Sequence, residues 1–451
     1  YVIYKIIMTI YALSSGPGIA GVAVVRISGP DTEKILKTLI KGKFPEPRKA
    51  TLKKVYNIKD NILIDEGIII WFPGPQSYTG EDMAEIQVHG SIAVVEAIHY
   101  CLSKLQNCRL AEPGEFTKLA FYNGKINLLK AETVSDLISS ETEIQRQQAM
   151  SLMSGSNSKK YERWRNELLN ILSKIEAKID FPEEDLPNKI IQDIKKLSET
   201  TKNEIINILD DNKVGERIRE GFKIAILGPA NAGKSSLLNY LSKREVAIVS
   251  EFAGTTRDVI ETHLNLNGYP VILSDTAGIR DSKNEIEKKG IKLSLKTAEK
   301  ADLKIVVIEP KNAYFTGVLK GLISAENTIL VINKSDLGVD NILNNFVKYN
   351  PIYISIKKEE NLNKLIIAIK DKLKNKFTIS DDILITRERH RKNLEECVNC
   401  LKNFQTKNSE EDFDKAAEDL RLAIRHLGKI VGKVDVEEIL GSIFKDFCIG
   451  K

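Results

Sequence analysis

The stretch FKIAILGPANAGKSSLLNYLSK (222–243) decides how this chain is read. Phe222–Leu227 is a short apolar run suited to a buried strand, and SLLNYLSK has the spacing of a helix. Between them stands Gly228-Pro-Ala-Asn-Ala-Gly233-Lys234-Ser235, a G-x-x-x-x-G-K-S turn in the strand-to-helix setting that a phosphate cradle needs. Glycines let successive backbone N–H groups face phosphate oxygens. Lys234 is placed to reach the outer phosphates, and the Ser235 hydroxyl to bind Mg²⁺.

Three segments downstream extend the reading. VILSD (271–275) is a strand that ends in an acid, followed by Thr276, Ala277 and Gly278. An acid there supports the Mg²⁺ shell, and the Gly278 N–H meets the terminal phosphate. The loop SEFAGTTRD (250–258) lies between, where a threonine adds a hydroxyl to Mg²⁺ only while the terminal phosphate is present, as in a switch. TILVIN (328–333) then delivers Asn333, Lys334, Ser335 and Asp336. A carboxylate at Asp336 pairs with the N–H donors of guanine and leaves adenine unmatched. Ser355, Ile356 and Lys357 are placed to close over the base. Four ordered segments, each at a strand end, imply a GTP hydrolase. Ile279 occupies the position where many GTPases orient water with Gln, so another polar group is needed. Asp281, Glu285 and Glu287 are the candidates from spacing.

The rest of the chain frames this domain. Its 451 residues suit two to four domains, and 42% apolar and 29% charged residues exclude wholesale disorder. A net charge of +5 permits an RNA partner without arguing for one. No apolar run has the ~18–20 residues needed to span a bilayer. The opening YVIYKIIM fits neither a signal peptide nor a transit peptide, and Met8 is read as a natural start after an extension of residues 1–7. Five scattered cysteines suit a reducing, cytoplasmic setting.

Residues 8–120 mix β-branched runs (VAVVRIS, 22–28; GIIIWF, 67–72; AEIQVH, 84–89) with Gly/Pro turns and read as α+β. Residues 125–215 and 387–451 read as helical. Trp164, Leu168, Leu169, Ile171, Leu172 and Ile175 share one helix face, and Ala416, Leu420, Ala423, Ile424 and Leu427 another. FPEEDLP (181–187) stops the first helix. Strand and helix patterns alternate through 221–376 and predict a mostly parallel sheet. The order helix, α/β, helix implies insertion of one domain into another, with boundaries 1–122, 123–220, 221–376 and 377–451.

Other signals are discounted. Gly16-Pro-Gly18-Ile-Ala-Gly21 matches a dinucleotide fingerprint but precedes a strand, so it is read as a turn. Cys397 and Cys400 sit in a helical run, and a zinc site with Cys101 and Cys108 is not expected. His89 reads as structural. The basic run RERHRK (387–392) reads either as a contact to RNA phosphates or as a solvated helix face.

The segments AGTTRD (253–258), DTAGIR (275–280), NKSD (333–336), YTGEDMAEIQVHG (78–90), RLAEPGEFTKLAF (109–121) and LGSIFKDFCIGK (440–451) together resemble the MnmE (TrmE) family of tRNA-modification GTPases, over nearly the whole chain after Met8. The resemblance implies a multi-domain fold: an N-terminal α+β domain that binds folate and dimerises, a discontinuous helical domain, and an inserted P-loop GTPase α/β domain. It implies a homodimer. It also implies an FAD-containing partner, MnmG (GidA), in a heterotetramer that installs an aminomethyl or carboxymethylaminomethyl group at C5 of a tRNA wobble uridine. The carbon would come from 5,10-methylenetetrahydrofolate or 5-formyltetrahydrofolate, with FAD on the partner only and no membrane.

Position by position, the resemblance puts GTP against Asn231, Ala232, Gly233, Lys234, Ser235 and Ser236. It adds Ser250, Glu251, Phe252, Ala253, Gly254, Thr255 and Thr256, then Asp275–Gly278, Asn333–Asp336 and Ser355–Lys357. Mg²⁺ would take Ser235 and Thr256. K⁺ would take Asn231, Ser250, Phe252 and Thr255, supplying charge that an arginine supplies elsewhere. Glu287 would position the attacking water. Pro229-Ala230 departs from the family's usual variable residue followed by Pro, with little effect expected beyond loop stiffness. Arg26, Glu85, Lys125 and Lys451 would hold the folate, a carboxylate matching paired pterin N–H donors and cations the anionic tail. Cys448 becomes a candidate for the modification chemistry. The alternative is a GTP-dependent ribosome-assembly or RNA-binding factor, which would carry a dedicated RNA-binding domain after the GTPase domain.

Overall fold

A computed structural model of the chain describes residues 8–180, 188–229, 231–244, 261–266, 268–275, 295–310, 321, 326–338, 346, 349–377, 383–407, 413–434, 440, 443–444, 447–448 and 450. The chain divides into two compact units. The first comprises 1–135, 158–169 and 424–451, the second 136–157 and 170–423.

The first unit is built on a six-stranded sheet. Its strands are β1 (Thr9–Leu13), β2 (Ala20–Ser28), β3 (Thr51–Tyr56), β4 (Leu63–Phe72), β5 (Met83–Gly90) and β6 (Cys108–Leu110), in spatial order β3-β4-β5-β2-β1-β6. All neighbours are antiparallel except β1 and β6. The three runs marked in the sequence fall in β2, β4 and β5. Ala23, Val25, Ile27, Ile69, Trp71, Ala84, Ile86 and Val88 alternate onto one face and pack with helices Thr32–Leu39 and Ile92–Ser103. The glycine-rich 16–21 stretch joins antiparallel β1 and β2 and runs into a strand, not a helix. Near the chain's other end, Leu440, Ile443, Phe444 and Phe447 form a small core with Leu128 and Ala131. Gly450 lies beside β1 and β2: Ser14 Oγ, directly after β1, donates to the Gly450 carbonyl at 2.8 Å.

The second unit contains the other sheet: β7 (Phe222–Leu227), β8 (Glu261–Leu266), β9 (Tyr269–Asp275), β10 (Leu303–Ile308), β11 (Thr328–Ile332) and β12 (Ile352–Tyr353). The order is β12-β11-β10-β7-β9-β8. Five strands run parallel and β8 is an antiparallel edge, as the alternating sequence pattern predicts. Ile224, Ile226, Ile305, Val307 and Val331 are buried on one face with helices Lys234–Arg244 and Leu362–Lys376; Ala225, Leu227, Val306, Leu330 and Ile332 are buried on the other. Burial on both faces explains why these strands read as continuous apolar runs.

The long helices follow the sequence periodicity. In Ser156–Asp180, Trp164, Leu168, Ile171, Leu172 and Ile175 are buried and Leu169 is half-buried. Residues 181–187 lie outside the described residues. In Phe413–Val431, Ala416, Leu420, Ala423, Ile424 and Leu427 form the buried stripe. Helix Asn188–Leu209 packs along Glu388–Thr406. Among the described residues no helix is long and apolar enough to cross a membrane.

The run RERHRK is a solvated face only in part, with Glu388 and Lys392 exposed. His390 and Arg391 are buried, and Arg391 bonds Glu216, Asp211 and the Leu209 carbonyl. Arg387 donates to Asp136 at 2.6 Å, as does Arg219 at 2.9 Å. A charge run of this kind is indistinguishable in sequence from a solvated face, because its carboxylate partners lie up to 251 positions away. Burial alone would lower the Arg391 pKa, but its carboxylate partners outweigh it and keep the guanidinium charged.

Candidate functional site

Strand β7 ends at Leu227, and the following turn leads to helix Lys234–Arg244. Two glycines are forced there. Gly228 has φ +145°, and a Cβ on it would lie 2.1 Å from the Val307 carbonyl oxygen. Gly233 has φ +97°, and its Cβ would lie 2.1 Å from Asn333 Nδ2. Between them Asn231 takes φ +64°, an uncommon conformation for a side-chain-bearing residue. The Lys234 ammonium turns back onto the loop and donates to the Pro229 carbonyl at 3.0 Å. Ser235 and Ser236 are exposed on the first helical turn.

The carboxyl ends of the neighbouring parallel strands bring in the rest. Asn333, directly after β11, is almost wholly buried. Its Nδ2 donates to the Ala232 carbonyl at 2.9 Å, and its Oδ1 accepts from the Ile356 N–H at 3.3 Å. One amide thus ties the phosphate-type loop to the segment after β12. Lys334 has φ +60°; its ammonium donates to the Asn231 carbonyl at 2.9 Å and pairs with Glu309, directly after β10. Ser355 is fully buried and donates to Asp336 Oδ1 at 2.7 Å. That hydrogen bond holds the Asp336 carboxyl below its ordinary value, so it stands ready as an acceptor. A cleft of about 650 Å³ lies between these groups, lined by Asn231, Gly233–Ser236, Asn333, Lys334, Asp336 and Ser355–Lys357. A larger cavity of about 810 Å³ opens at Leu303, Thr328 and Ile352, the amino ends of the same strands, where no sequence signal for chemistry falls. Open parallel sheets bind ligands at the carboxyl ends, so the smaller cleft is the candidate.

Asp275 closes β9 in register with Ile226, its backbone beside the start of the loop. Ser250–Thr256, Thr276–Gly278, Ile279, Asp281, Glu285, Glu287 and Lys451 lie outside the described residues.

In the first unit, Arg26 and Glu85 face each other across β2 and β5. Arg26 Nε and Nη2 donate to Glu85 Oε1 at 3.2 and 2.8 Å, and Nη1 to the Gly450 carbonyl at 3.3 Å. The guanidinium lies 5.8 Å from the Tyr78 ring centre and 5.6 Å from that of Phe116. Lys125 is exposed, beside the Gly80 turn. Cys448 is exposed, and its carbonyl accepts from the Gly114 N–H at 3.3 Å.

Two residues were not singled out from sequence. Glu115 is buried, bonded by both Arg109 Nη atoms and by the Glu112 N–H. Burial alone would raise its carboxyl; the Arg109 and Glu112 hydrogen bonds outweigh that and hold it low. Glu309 is the other, and its signal was available: an acid directly after the apolar run LKIVVI, as Asp275 follows VILS. Of the discounted residues, His89 Nδ1 lies 2.9 Å from Asp65 Oδ1. Cys397 is wholly buried, Cys400 follows it on the same helix, and burial raises both thiols.

Comparison with known proteins adds an independent line. A family model for the MnmE helical domain matches residues 128–448, and one for the N-terminus of GTP-binding protein TrmE matches residues 9–125. Curated relatives called tRNA modification GTPase MnmE include one from Pelagibacter ubique, 68% identical over 98% of this chain and 100% of its own length. Another, from Rickettsia bellii, is 45% identical over the same shares. A crystal structure of Aquifex aeolicus Era bound to GDP.AlF4- aligns at 25% identity over 40% of this chain and 66% of that one. Its TM-score is 0.28, a likeness too weak to bear on function.

Proposed function

Because the chain belongs to the MnmE family of tRNA modification GTPases, we propose that it hydrolyses GTP in the cleft around Lys234 and couples that cycle to modification of a tRNA base. The observation that carries the reading is the double hydrogen bond of Asn333, which joins the phosphate-type loop to the loop beside Asp336. In this reading the loop from Gly228 to Gly233, Pro229 excepted, presents N–H groups to the phosphates, and Lys234 leaves the Pro229 carbonyl for the β/γ oxygens. Asp336, already an anion, accepts from the guanine edge, with Ser355–Lys357 behind it.

Mg²⁺ suits the hydroxyl of Ser235, an oxygen donor exposed at the cleft beside Lys234; Thr256 would be its second protein ligand. K⁺ suits the exposed amide of Asn231, with Ser250, Phe252 and Thr255 completing the set. When bound, the two cations offset charge on the phosphates. Glu287 would position water, the role Ile279 cannot fill.

Arg26 is a rigid plane between Glu85 and the Gly450 carbonyl, near two aromatic rings, a setting that suits a flat heterocycle. Glu85 would accept the pterin N–H pair, and Lys125 and Lys451 would meet the glutamate tail of a 5,10-methylene- or 5-formyltetrahydrofolate. A homodimer, joined by MnmG with its FAD, would act on the wobble uridine in the cytoplasm, with Cys448 near the folate. The ribosome-assembly alternative has no specific observation in its favour. Two measurements test the proposal. GTP turnover should be much faster in KCl than in NaCl; equal rates remove the K⁺ role. Mass spectrometry of wobble nucleosides from cells lacking the protein should show unmodified uridine; a normal profile removes the tRNA role.

A further inference from the structure

The turn at Asn231 is held by Lys334, and through it by Glu309, a carboxylate that is not among the residues placed against the nucleotide. Asn231 and Lys334 both have φ near +60° without being glycine, at +64° and +60°. Such conformations persist only where neighbours over-determine them. Here the two face each other: the Lys334 ammonium donates to the Asn231 carbonyl at 2.9 Å. The same ammonium is gripped by the Glu309 carboxylate, whose side chain is 12% exposed against 36% for Lys334. Glu309 is fixed in turn at the end of β10, which pairs with β7 and β11 on either side. The order of dependence is therefore β10, Glu309, Lys334, Asn231. A lysine on four rotatable bonds has little reason to choose one carbonyl unless its charge is anchored.

We propose that Glu309 is a positioning residue of the nucleotide site, acting through Lys334 to hold the Asn231 turn in its binding form. The inference rests on the GTP reading of the cleft. Removing the carboxylate frees the ammonium to leave the Asn231 carbonyl, and the loop loses part of its preorganisation. Free nucleotide then has to restore the turn on binding, so the bound state is reached less often and lost sooner.

The test uses the full chain, with fluorescent GDP as probe. Glu309→Gln keeps the size and removes the charge. It should weaken GDP binding about tenfold, the order expected for loss of a charge-assisted hydrogen bond, mainly through faster dissociation. Turnover at saturating GTP should stay within about twofold while KM rises. A double-mutant cycle separates positioning from simple structural support. In a Lys334→Ala background, Glu309→Gln should have almost no further effect on GDP affinity, whereas a structural role would persist. Wild-type affinity in Glu309→Gln, or full additivity in the cycle, overturns the proposal. If Glu309→Gln does not fold, Glu309→Asp serves instead. It keeps the charge one methylene short, and wild-type affinity and dissociation rate there overturn the proposal equally. Absence of guanine-nucleotide binding in the wild-type chain would instead defeat the reading of the cleft itself.

Discussion

The two candidate sites are built on opposite plans. The nucleotide cleft sits at the carboxyl ends of parallel strands, and each strand contributes the residues that directly follow it: Gly228 after β7, Glu309 after β10, Asn333 after β11. The Arg26 site lies on the sheet face turned away from helices Thr32–Leu39 and Ile92–Ser103, where strand register sets Arg26 opposite Glu85 and a carbonyl 424 positions away completes the contact. A parallel sheet concentrates chemistry in contiguous loops. An antiparallel face assembles it from isolated positions. The first plan should therefore break at backbone positions and the second at single side chains.

The largest break is expected at Gly228. Alanine there meets both an unfavourable φ and a backbone oxygen that β10 holds in place. Gly228→Ala should cost about 4 kcal/mol in urea unfolding and abolish GDP binding; a loss under about 1 kcal/mol would mean that the loop relaxes freely. In the first unit the comparable strut is Arg109–Glu115. Arg109→Ala should cost about 2 kcal/mol, less than the roughly 3–5 kcal/mol of a fully buried pair because Arg109 is 39% exposed. The pair also has a pH signature. The Glu115 carboxyl is held below its ordinary value, so its contribution is complete above the usual carboxylate range and is lost as pH falls through the folded value. Acid unfolding of Arg109→Ala should lack that limb. Arg26→Lys comes next, at about 1–2 kcal/mol, because an ammonium cannot bond Glu85 and the Gly450 carbonyl in one plane. If reduced-folate binding survives that change, Arg26 does not shape the pterin site.

The contrast in plan also explains what the sequence could reveal. The cradle, its helix, the parallel sheet and the Asp336 segment were legible because each is local: a glycine, a lysine and a strand end share one short segment. The Arg26–Glu85 site was reached only through resemblance, since nothing in VAVVRIS or AEIQVH announces that they are neighbours. The Arg391 cluster misled for the same reason. Its arginine looks solvated until Glu216, 175 positions away, is packed against it. Asn333 was read as part of a guanine motif, but its role as a tie between two loops came from geometry. A buried amide with donors and acceptors on both sides is a tertiary fact.

The smallest effect is the sharpest test of the comparison, because it asks whether a side chain matters in the loop-built site. Ser355 is fully buried, and its hydroxyl donates to Asp336 while accepting from the Lys358 N–H at 3.2 Å. Ser355→Ala removes both contacts without a change of backbone. At about 1 kcal/mol for a net hydrogen bond, GDP affinity near neutral pH should fall about fivefold. The hydroxyl is also the leading cause of the lowered Asp336 pKa, so its loss lets the carboxyl rise toward the ordinary value. Guanine binding needs the ionised form. The acid limb of a GDP-affinity profile, below about pH 4, should therefore move to higher pH in the variant. A uniform drop with no displaced limb would mean that Ser355 only shapes the loop. A displaced limb would show that even a backbone-built cradle depends on one hydroxyl to keep its reading residue charged.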